Sequence, residues 1–248
     1  MNRVMERMVV LSCGWMQICL VLLVVPGCSK QDFSLEKNLS VEQAASTVLY
    51  ENNRLKDGVD KAVNTLSFPN VESVSPEVAT ELSKYKGESI SLGVKQLTPE
   101  VARALMEIFS GRIDLNELRS LELSSAKYLS RARSVSVVNA QLDAETISVL
   151  VNGDTKYLTI GNKALFKEVA QVLGRSKLEL IGLMRVSDVP SDVLKEFRTL
   201  KKSTIQFDVR QRIVVDEGGL KELAELGKLG LLTSFQVEAA KKRIAMGR

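Results

Sequence analysis

A repeated strand signal constrains the fold of this 248-residue chain more than any other feature of its sequence. The signal is an apolar–polar–apolar triplet, an alternation typical of a short, half-buried β-strand. The clearest triplets are Ile90-Ser91-Leu92, Ile113-Asp114-Leu115, Val135-Ser136-Val137, Leu158-Thr159-Ile160 and Leu178-Glu179-Leu180. Their first positions are nearly evenly spaced, and Leu66-Ser67-Phe68 and Ile205-Gln206-Phe207 extend the series at both ends. We therefore expect a repeat domain over residues 66–212.

A helix signal follows the strand signal in the repeats. Ser75-Pro76-Glu77-Val78-Ala79 recurs one repeat later as Thr98-Pro99-Glu100-Val101-Ala102. A hydroxyl residue suits the N-cap, proline the first helical turn, and glutamate the positive end of the helix dipole. Glycines stand where the helices are expected to stop, at Gly87, Gly111, Gly153 and Gly174. The predicted unit is strand, turn, short helix, turn, which makes the chain an α/β protein.

This repeat resembles the leucine-rich-repeat-like arrays of exported bacterial proteins, with a unit close to I-S-L-x-x-x-x-L-T-P-E-V-A-x-A-L. The resemblance implies a solenoid whose strands line a concave side. It departs from the standard motif because no regular Asn or Cys follows the strand, and Leu118 and Ala140 lie near that slot. The alternative is an ordinary α/β domain with accidental regularity.

The segment 1–28 has the features of an export signal. Arg3 and Arg7 precede an apolar run over residues 8–25, which ends at Val25-Pro26-Gly27-Cys28. This ending resembles a bacterial lipobox, although Pro26 departs from its usual pattern. The resemblance implies that Cys28 receives a diacylglycerol thioether and begins the mature protein. The alternative is an uncleaved anchor, and either one places the body outside the cytoplasm, facing the periplasm or the cell exterior beside a membrane.

Composition removes several classes of function. The chain has no histidine, and its three cysteines, Cys13, Cys19 and Cys28, all lie near the N-terminus. The commonest general base, thiol nucleophiles and thiolate metal sites are therefore absent from the body. We expect no metal, no cofactor and no enzymatic activity, with a hydrolase that uses a carboxylate or Ser-Lys site as the residual alternative. A net charge of +4 and 5% aromatic residues also argue against nucleic-acid binding.

Two further segments flank the repeats. Residues 29–65 are expected to be a linker and an N-terminal helical cap. Residues 218–248 form a predicted helical hairpin that resembles the SHOCT module, on matches at Gly230, Leu232, Thr233, Val237, Glu238, Lys241 and Ile244. This resemblance implies a role in oligomerisation, and the alternative is a plain amphipathic hairpin that caps the last repeat.

The candidate binding face consists of residues expected to point away from the core along the strands. They are Ser91, Arg112, Asp114, Ser136, Tyr157, Thr159, Lys177, Glu179 and Gln206. This mixture of polar side chains, with Tyr and Arg as frequent interface anchors, predicts recognition of a protein or another envelope component. The competing hypothesis is a structural protein that assembles into homo-oligomers through its C-terminal hairpin.

The sulfur atom of Cys28 provides a test of the predicted lipid anchor. Cys28→Ser is expected to abolish incorporation of labelled fatty acid, because only the sulfur can form the thioether. If cleavage depends on lipidation, the variant also keeps its signal and migrates as a slightly larger protein. Equal labelling of variant and wild type would exclude the lipoprotein hypothesis.

Overall fold

The computed structural model describes residues 37–56, 64–162, 165–186, 189–200, 203–207, 217–233 and 237–238. These residues form an α/β structure with one open, parallel, seven-stranded sheet in sequence order. The strands are β1 (Thr65–Phe68), β2 (Ser89–Leu92), β3 (Arg112–Asp114), β4 (Ser134–Val137), β5 (Tyr157–Ile160), β6 (Leu180–Leu183) and β7 (Thr204–Phe207). The predicted signal peptide and its Cys28 lie outside the described residues.

Helices alternate with these strands. They are α1 (Val41–Lys56), α2 (Pro76–Ser83), α3 (Pro99–Leu105), α4 (Leu123–Leu129), α5 (Ala144–Val151), α6 (Lys167–Gly174), α7 (Ser191–Glu196) and α8 (Glu217–Lys228), with a 3-10 turn at Phe197–Thr199. Each helix packs against the next one in sequence, so the helices make one layer. The repetitive strand–helix architecture expected from the triplets is therefore present.

The starts of α2, α3 and α5 have side-chain caps of the expected chemistry. The Ser75 hydroxyl accepts a hydrogen bond from the backbone N–H of Val78 at 3.3 Å, and Thr98 does the same for Val101 at 3.4 Å. At α5 the carboxylate of Asp143 accepts from the Thr146 N–H at 2.7 Å, and this bond lowers the pKa of Asp143 below its usual value. The carboxylate is thus held in its charged form at the positive end of the helix.

The predicted helix stops are wrong in three of four places. Only α6 ends at its glycine, whereas α2, α3 and α5 end before the chain reaches Gly87, Gly111 and Gly153. Gly111 and Gly153 instead lie where the chain passes close to the preceding repeat. A Cβ atom there would overlap the carbonyl oxygen of Glu88 or Ser130. These glycines are required by close approach between repeats and not by helix termination.

The predicted position of the sixth strand is also wrong. The Leu178-Glu179-Leu180 triplet was expected to form it, but β6 pairs with β5 so that Ile181 aligns with Leu158 and Leu183 with Ile160. This register buries Ile181 and Leu183 and restores the regular strand spacing of the preceding repeats. Leu178 is buried in the turn that precedes the strand.

The core lies between the sheet and the helix layer. Leu92, Leu115, Val137 and Ile160 are each at most 2% exposed, which confirms the predicted inward positions. Leu115 follows the last residue of β3 and is held by a hydrogen bond from its N–H to the carbonyl of Ser136 at 2.8 Å. Burial of these aliphatic side chains supplies the main driving force for stacking the repeats.

Both ends of the sheet carry additional structure. At the first end α1 packs on α2, and Asn38 forms an isolated parallel bridge with Ser73. At the other end α8 packs on α7, and the carbonyl of Leu231 accepts a hydrogen bond from the N–H of Ile205 at 2.8 Å. Val237 and Glu238 are helical, but the rest of the predicted second hairpin helix lies outside the described residues.

Within the described ranges, no helix combines the length and apolar character that crossing a bilayer requires.

Leu115 provides a test of the repeat register. Leu115→Ala is expected to lower the free energy of unfolding by about 2–5 kcal/mol, because it removes buried methyl groups and leaves a cavity. Denaturant titration measures this loss. The control is Ile108→Ala: the Ile108 side chain is 64% exposed, so the loss in this variant should stay below about 0.5 kcal/mol. Equal losses in the two variants would contradict the register.

Candidate binding face

The side of the sheet that faces away from the helices carries two polar rows. Strand alternation and the pairing register place one residue of each strand in each row. The first row is Thr65, Ser89, Arg112, Ser134, Tyr157, Leu180 and Thr204, and the second is Ser67, Ser91, Asp114, Ser136, Thr159, Gly182 and Gln206. A cavity of about 1370 Å³ on this side has lining residues from Thr65 in β1 to Gln206 in β7. One cavity that spans all seven strands makes this side of the sheet concave.

Asp114 lies deeper in this face than a solvated position would. It is only 8% exposed, and Ser136 beside it is 4% exposed, although both were expected to point into solvent. The Arg112 Nε atom lies 2.9 and 3.0 Å from the two carboxylate oxygens of Asp114, and the Ser89 hydroxyl donates to one of them at 3.2 Å. Arg112 therefore neutralises a buried carboxylate, and its removal would leave that charge poorly compensated.

Tyr157 is the centre of a second cluster. Its hydroxyl donates to the Glu179 carboxylate at 2.8 Å, and Lys156 pairs with the same carboxylate at 3.0 Å. These two contacts, the tyrosine bond first, lower the pKa of Glu179 below its usual value. The guanidinium carbon of Arg133 lies 5.6 Å from the centre of the Tyr157 ring, within the range of a cation–π contact. The aromatic ring is thus fixed by contacts at its hydroxyl and at one face.

A chain of polar contacts crosses the rim of the cavity at the carboxyl ends of the strands. The Asn139 amide donates to Glu117 at 3.4 Å and accepts a hydrogen bond from the guanidinium of Arg185. Arg185 has a backbone φ of 59°, a left-handed conformation that is uncommon for residues other than glycine. This conformation accompanies the entry of Arg185 into the cavity lining.

The structure brings together most of the residues predicted for the face. Those that line the cavity are Arg112, Asp114, Ser136, Tyr157, Thr159 and Gln206. Ser91 is half-buried in the second row but does not line the cavity, and Glu179 precedes β6 while still contacting Tyr157. Lys177 also precedes β6, where it is exposed and does not line the cavity. The sequence pattern predicted the sixth strand too early in the chain, and Glu179 and Lys177 therefore lie before β6 and not within it.

Several lining residues escaped the sequence prediction. Glu88, Glu117, Arg133 and Arg185 lie just before or just after their strands, where the triplet pattern does not extend. A search for charges close to each triplet would have found the first three. Arg185 could not have been found without the correct position of β6.

Two serines that precede a lysine in the sequence, Ser83 and Ser176, lie at helix ends. The Ser83 hydroxyl donates to the carbonyl of Thr80 at 2.8 Å, and the Ser176 hydroxyl donates to that of Leu173 at 2.7 Å. Both are helix-end bonds. Among the described residues, no group of three or more acidic or thiol side chains is placed to hold a metal ion.

No protein-family model matches the chain, and no curated protein sequence matches it. The class of the molecule therefore follows from its fold alone: a repetitive α/β protein with a single open parallel sheet and one concave, polar strand face.

The Tyr157–Glu179 contact predicts how the pKa of Glu179 responds to a substitution at Tyr157. Tyr157→Phe is expected to raise the pKa of Glu179 toward the ordinary value of 4.5, because the tyrosine bond is the largest cause of its depression. Carboxyl ¹³C NMR measures this shift. Ser134→Ala, a change in the same row, serves as the control and should leave Glu179 unaffected. A pKa that stays unchanged in Tyr157→Phe would show that Lys156 alone holds the carboxylate.

Proposed function

We propose that this chain is an exported, membrane-anchored protein whose concave strand face recognises another macromolecule, either a protein or another envelope component. The observation that carries the proposal is the polar cavity of about 1370 Å³ that extends across all seven strands. Pockets for small ligands usually enclose about 300–1,000 Å³ and are mainly apolar. A longer and more polar cavity suits a macromolecular segment, and its mixed side chains suit recognition and not turnover.

Within this proposal, the strand–helix units are leucine-rich-repeat-like and build a solenoid. Short parallel strands in sequence order, one for each short helix, support this assignment. Asn162 supports it further, because it is fully buried just after β5 and bonds to the preceding repeat. Its amide nitrogen donates to the Leu142 carbonyl at 2.9 Å, and its amide oxygen accepts from the Leu142 N–H at 3.1 Å. A buried asparagine after the strand suits a leucine-rich-repeat-like unit, although no regular series of asparagines follows the other strands.

The anchor in this proposal is a lipid on Cys28, in keeping with the export signal and the absence of cysteine elsewhere in the body. The C-terminal segment is a SHOCT-like module. Its first helix, α8, is followed by Gly230 with a φ of 72° and by the buried Leu231 and Leu232. A left-handed glycine after the helix is the turn that a helical hairpin uses.

Assembly through this tail is the second candidate function. It is favoured by Leu229, which is 57% exposed just after α8. Leu223 and Leu226 on the same helix are buried in the chain itself, so the larger apolar part of α8 serves to cap the stack. Deleting the tail would also remove the Leu231 carbonyl that accepts a hydrogen bond from Ile205 of the last strand. A point substitution is therefore the cleaner probe of assembly. Leu229→Glu separates the two functions: a defined oligomer that dissociates in this variant supports assembly, and a monomer in the wild type supports docking.

The docking function is tested by capture of partners from the native envelope by cross-linking. Tyr157→Ala combined with Gln206→Ala is expected to reduce capture at least tenfold, without shifting the melting temperature by more than about 2 °C. Arg112 is left intact because it neutralises Asp114.

The matched control changes Tyr50 and Asn53 to alanine on α1. Tyr50 is exposed and lies beside Arg54, much as Tyr157 lies beside Arg133, but it is remote from the strand face. Normal capture by the control with loss in the face variant supports the proposal. Equal capture by both variants would exclude the strand face as the docking surface.

A further inference from the structure

Uncharged polar side chains are the largest group in the lining of the concave face. Ten of the 21 described lining residues have an aliphatic hydroxyl or an amide side chain, whereas three have an aliphatic or thioether side chain. The core of a protein–protein interface is enriched in aromatic and apolar side chains, and about 65% of its area is apolar. The composition of this face therefore favours a partner that is itself hydrophilic.

Several of these polar side chains remain available to a ligand. Within the described part of the chain, the side chains of Thr65, Ser134, Thr159 and Gln206 form no hydrogen bond with another protein group. They are half-buried or exposed, and they lie in the two polar rows on β1, β4, β5 and β7. A hydroxyl or an amide group both donates and accepts hydrogen bonds, and a sugar hydroxyl has the same two capacities. A series of such groups is therefore complementary to a chain of sugar rings.

The charged side chains of the face are partly compensated within the protein. Arg112 pairs with Asp114, and Lys156 pairs with Glu179. Arg133 also acts electrostatically on Glu179. Acidic and basic groups thus lie side by side, and neither a polyanion nor a polycation finds a single sign of charge along the face. A nucleic acid in particular depends on unpaired cations for much of its affinity.

Tyr157 supplies an aromatic surface among these polar groups. Its half-buried ring lines the cavity and shares its row with Ser134 on β4 and Leu180 on β6. The ring is held in place by the hydrogen bond of its hydroxyl to Glu179 and by its contact with Arg133. One face of a pyranose ring carries mainly apolar C–H groups, which pack against an aromatic ring. A sugar can therefore contact Tyr157 through carbon while its hydroxyls bond to the polar side chains nearby.

We infer that the concave face binds a neutral glycan strand, with one sugar ring packed against Tyr157. The hydroxyls of the glycan form hydrogen bonds with the available hydroxyl and amide side chains, of which Ser134 and Thr159 lie nearest along β4 and β5. The inference rests on the proposed function and specifies its partner as a glycan of the envelope. A polypeptide is the competing partner, and the experiment separates the two.

The test applies the full-length protein, in a detergent without a sugar headgroup, to an array of neutral, anionic and cationic oligosaccharides. The wild type is expected to retain neutral oligosaccharides in preference to charged ones. Titration calorimetry with the best-bound neutral oligosaccharide should give an affinity that changes less than about twofold between about 50 and about 500 mM NaCl, because salt screens interactions between charges. Tyr157→Ala should weaken binding about tenfold or more, whereas Tyr157→Phe, which keeps the ring, should stay within about threefold.

The control is Tyr50→Ala on α1, which removes an exposed tyrosine that also lies beside an arginine. Its affinity should stay within about twofold of the wild type, and Gln206→Ala on the face should lose about threefold, as expected for one hydrogen bond. Retention of no neutral oligosaccharide, a preference for charged ones, or equal weakening by Tyr157→Ala and Tyr50→Ala would overturn the inference. The proposed function is judged separately by capture from the native envelope: a captured polypeptide that depends on Tyr157 and Gln206 means that recognition stands and the partner is a protein.

Discussion

Each repeat needs the hydrogen-bonding groups of its neighbours, and this requirement is the constraint on which the rest of the structure depends. Such short strands cannot satisfy their backbone groups alone, and each strand from β2 to β6 pairs in parallel with the strands on both sides. In the turns, buried side chains also form hydrogen bonds between neighbouring repeats. The Ser125 hydroxyl donates to the Leu97 carbonyl at 2.9 Å, and the Thr155 hydroxyl donates to that of Ala132 at 3.1 Å. Each repeat thus completes the hydrogen bonding of its neighbour, and the repeats are stable as a stack and not singly.

A stack of this kind has two ends where the interaction stops, and the sequence changes there. At the first end, the Ser40 N–H donates to the Gln43 side chain at 2.8 Å and the Gln43 N–H donates to the Ser40 hydroxyl at 3.2 Å, a reciprocal capping box that starts α1. At the last end, the Arg198 guanidinium lies 2.6 Å from the buried Glu222 carboxylate and ties α8 to the preceding turn. Helix α8 is consequently part of the folded body.

The sequence predicts the part of this fold that repeats and fails where two patterns compete. The triplets between positions 90 and 160 were sufficient to locate four strands, because alternation and spacing agreed there. Around β6 two neighbouring triplets, Leu178-Glu179-Leu180 and Ile181-Gly182-Leu183, both satisfy alternation, and only pairing with Thr159 decides between them. The burial of Asp114 could not be predicted from the sequence either. It depends on the contact that Asp114 makes with Ser89 of the adjacent strand and on its ion pair with Arg112.

The burial of Asp114 reduces the negative charge that the strand face presents to a partner. This carboxylate is already compensated by Arg112, so its charge is internal to the protein. Arg133 contacts the ring of Tyr157 and acts electrostatically on Glu179, and Arg185 donates to the amide of Asn139, which donates in turn to Glu117. Acidic and basic side chains therefore lie side by side along the face, and a docking partner would meet charges that are partly compensated within the protein. Binding energy should accordingly concentrate at an aromatic side chain, and Tyr157 is the aromatic residue of the described lining.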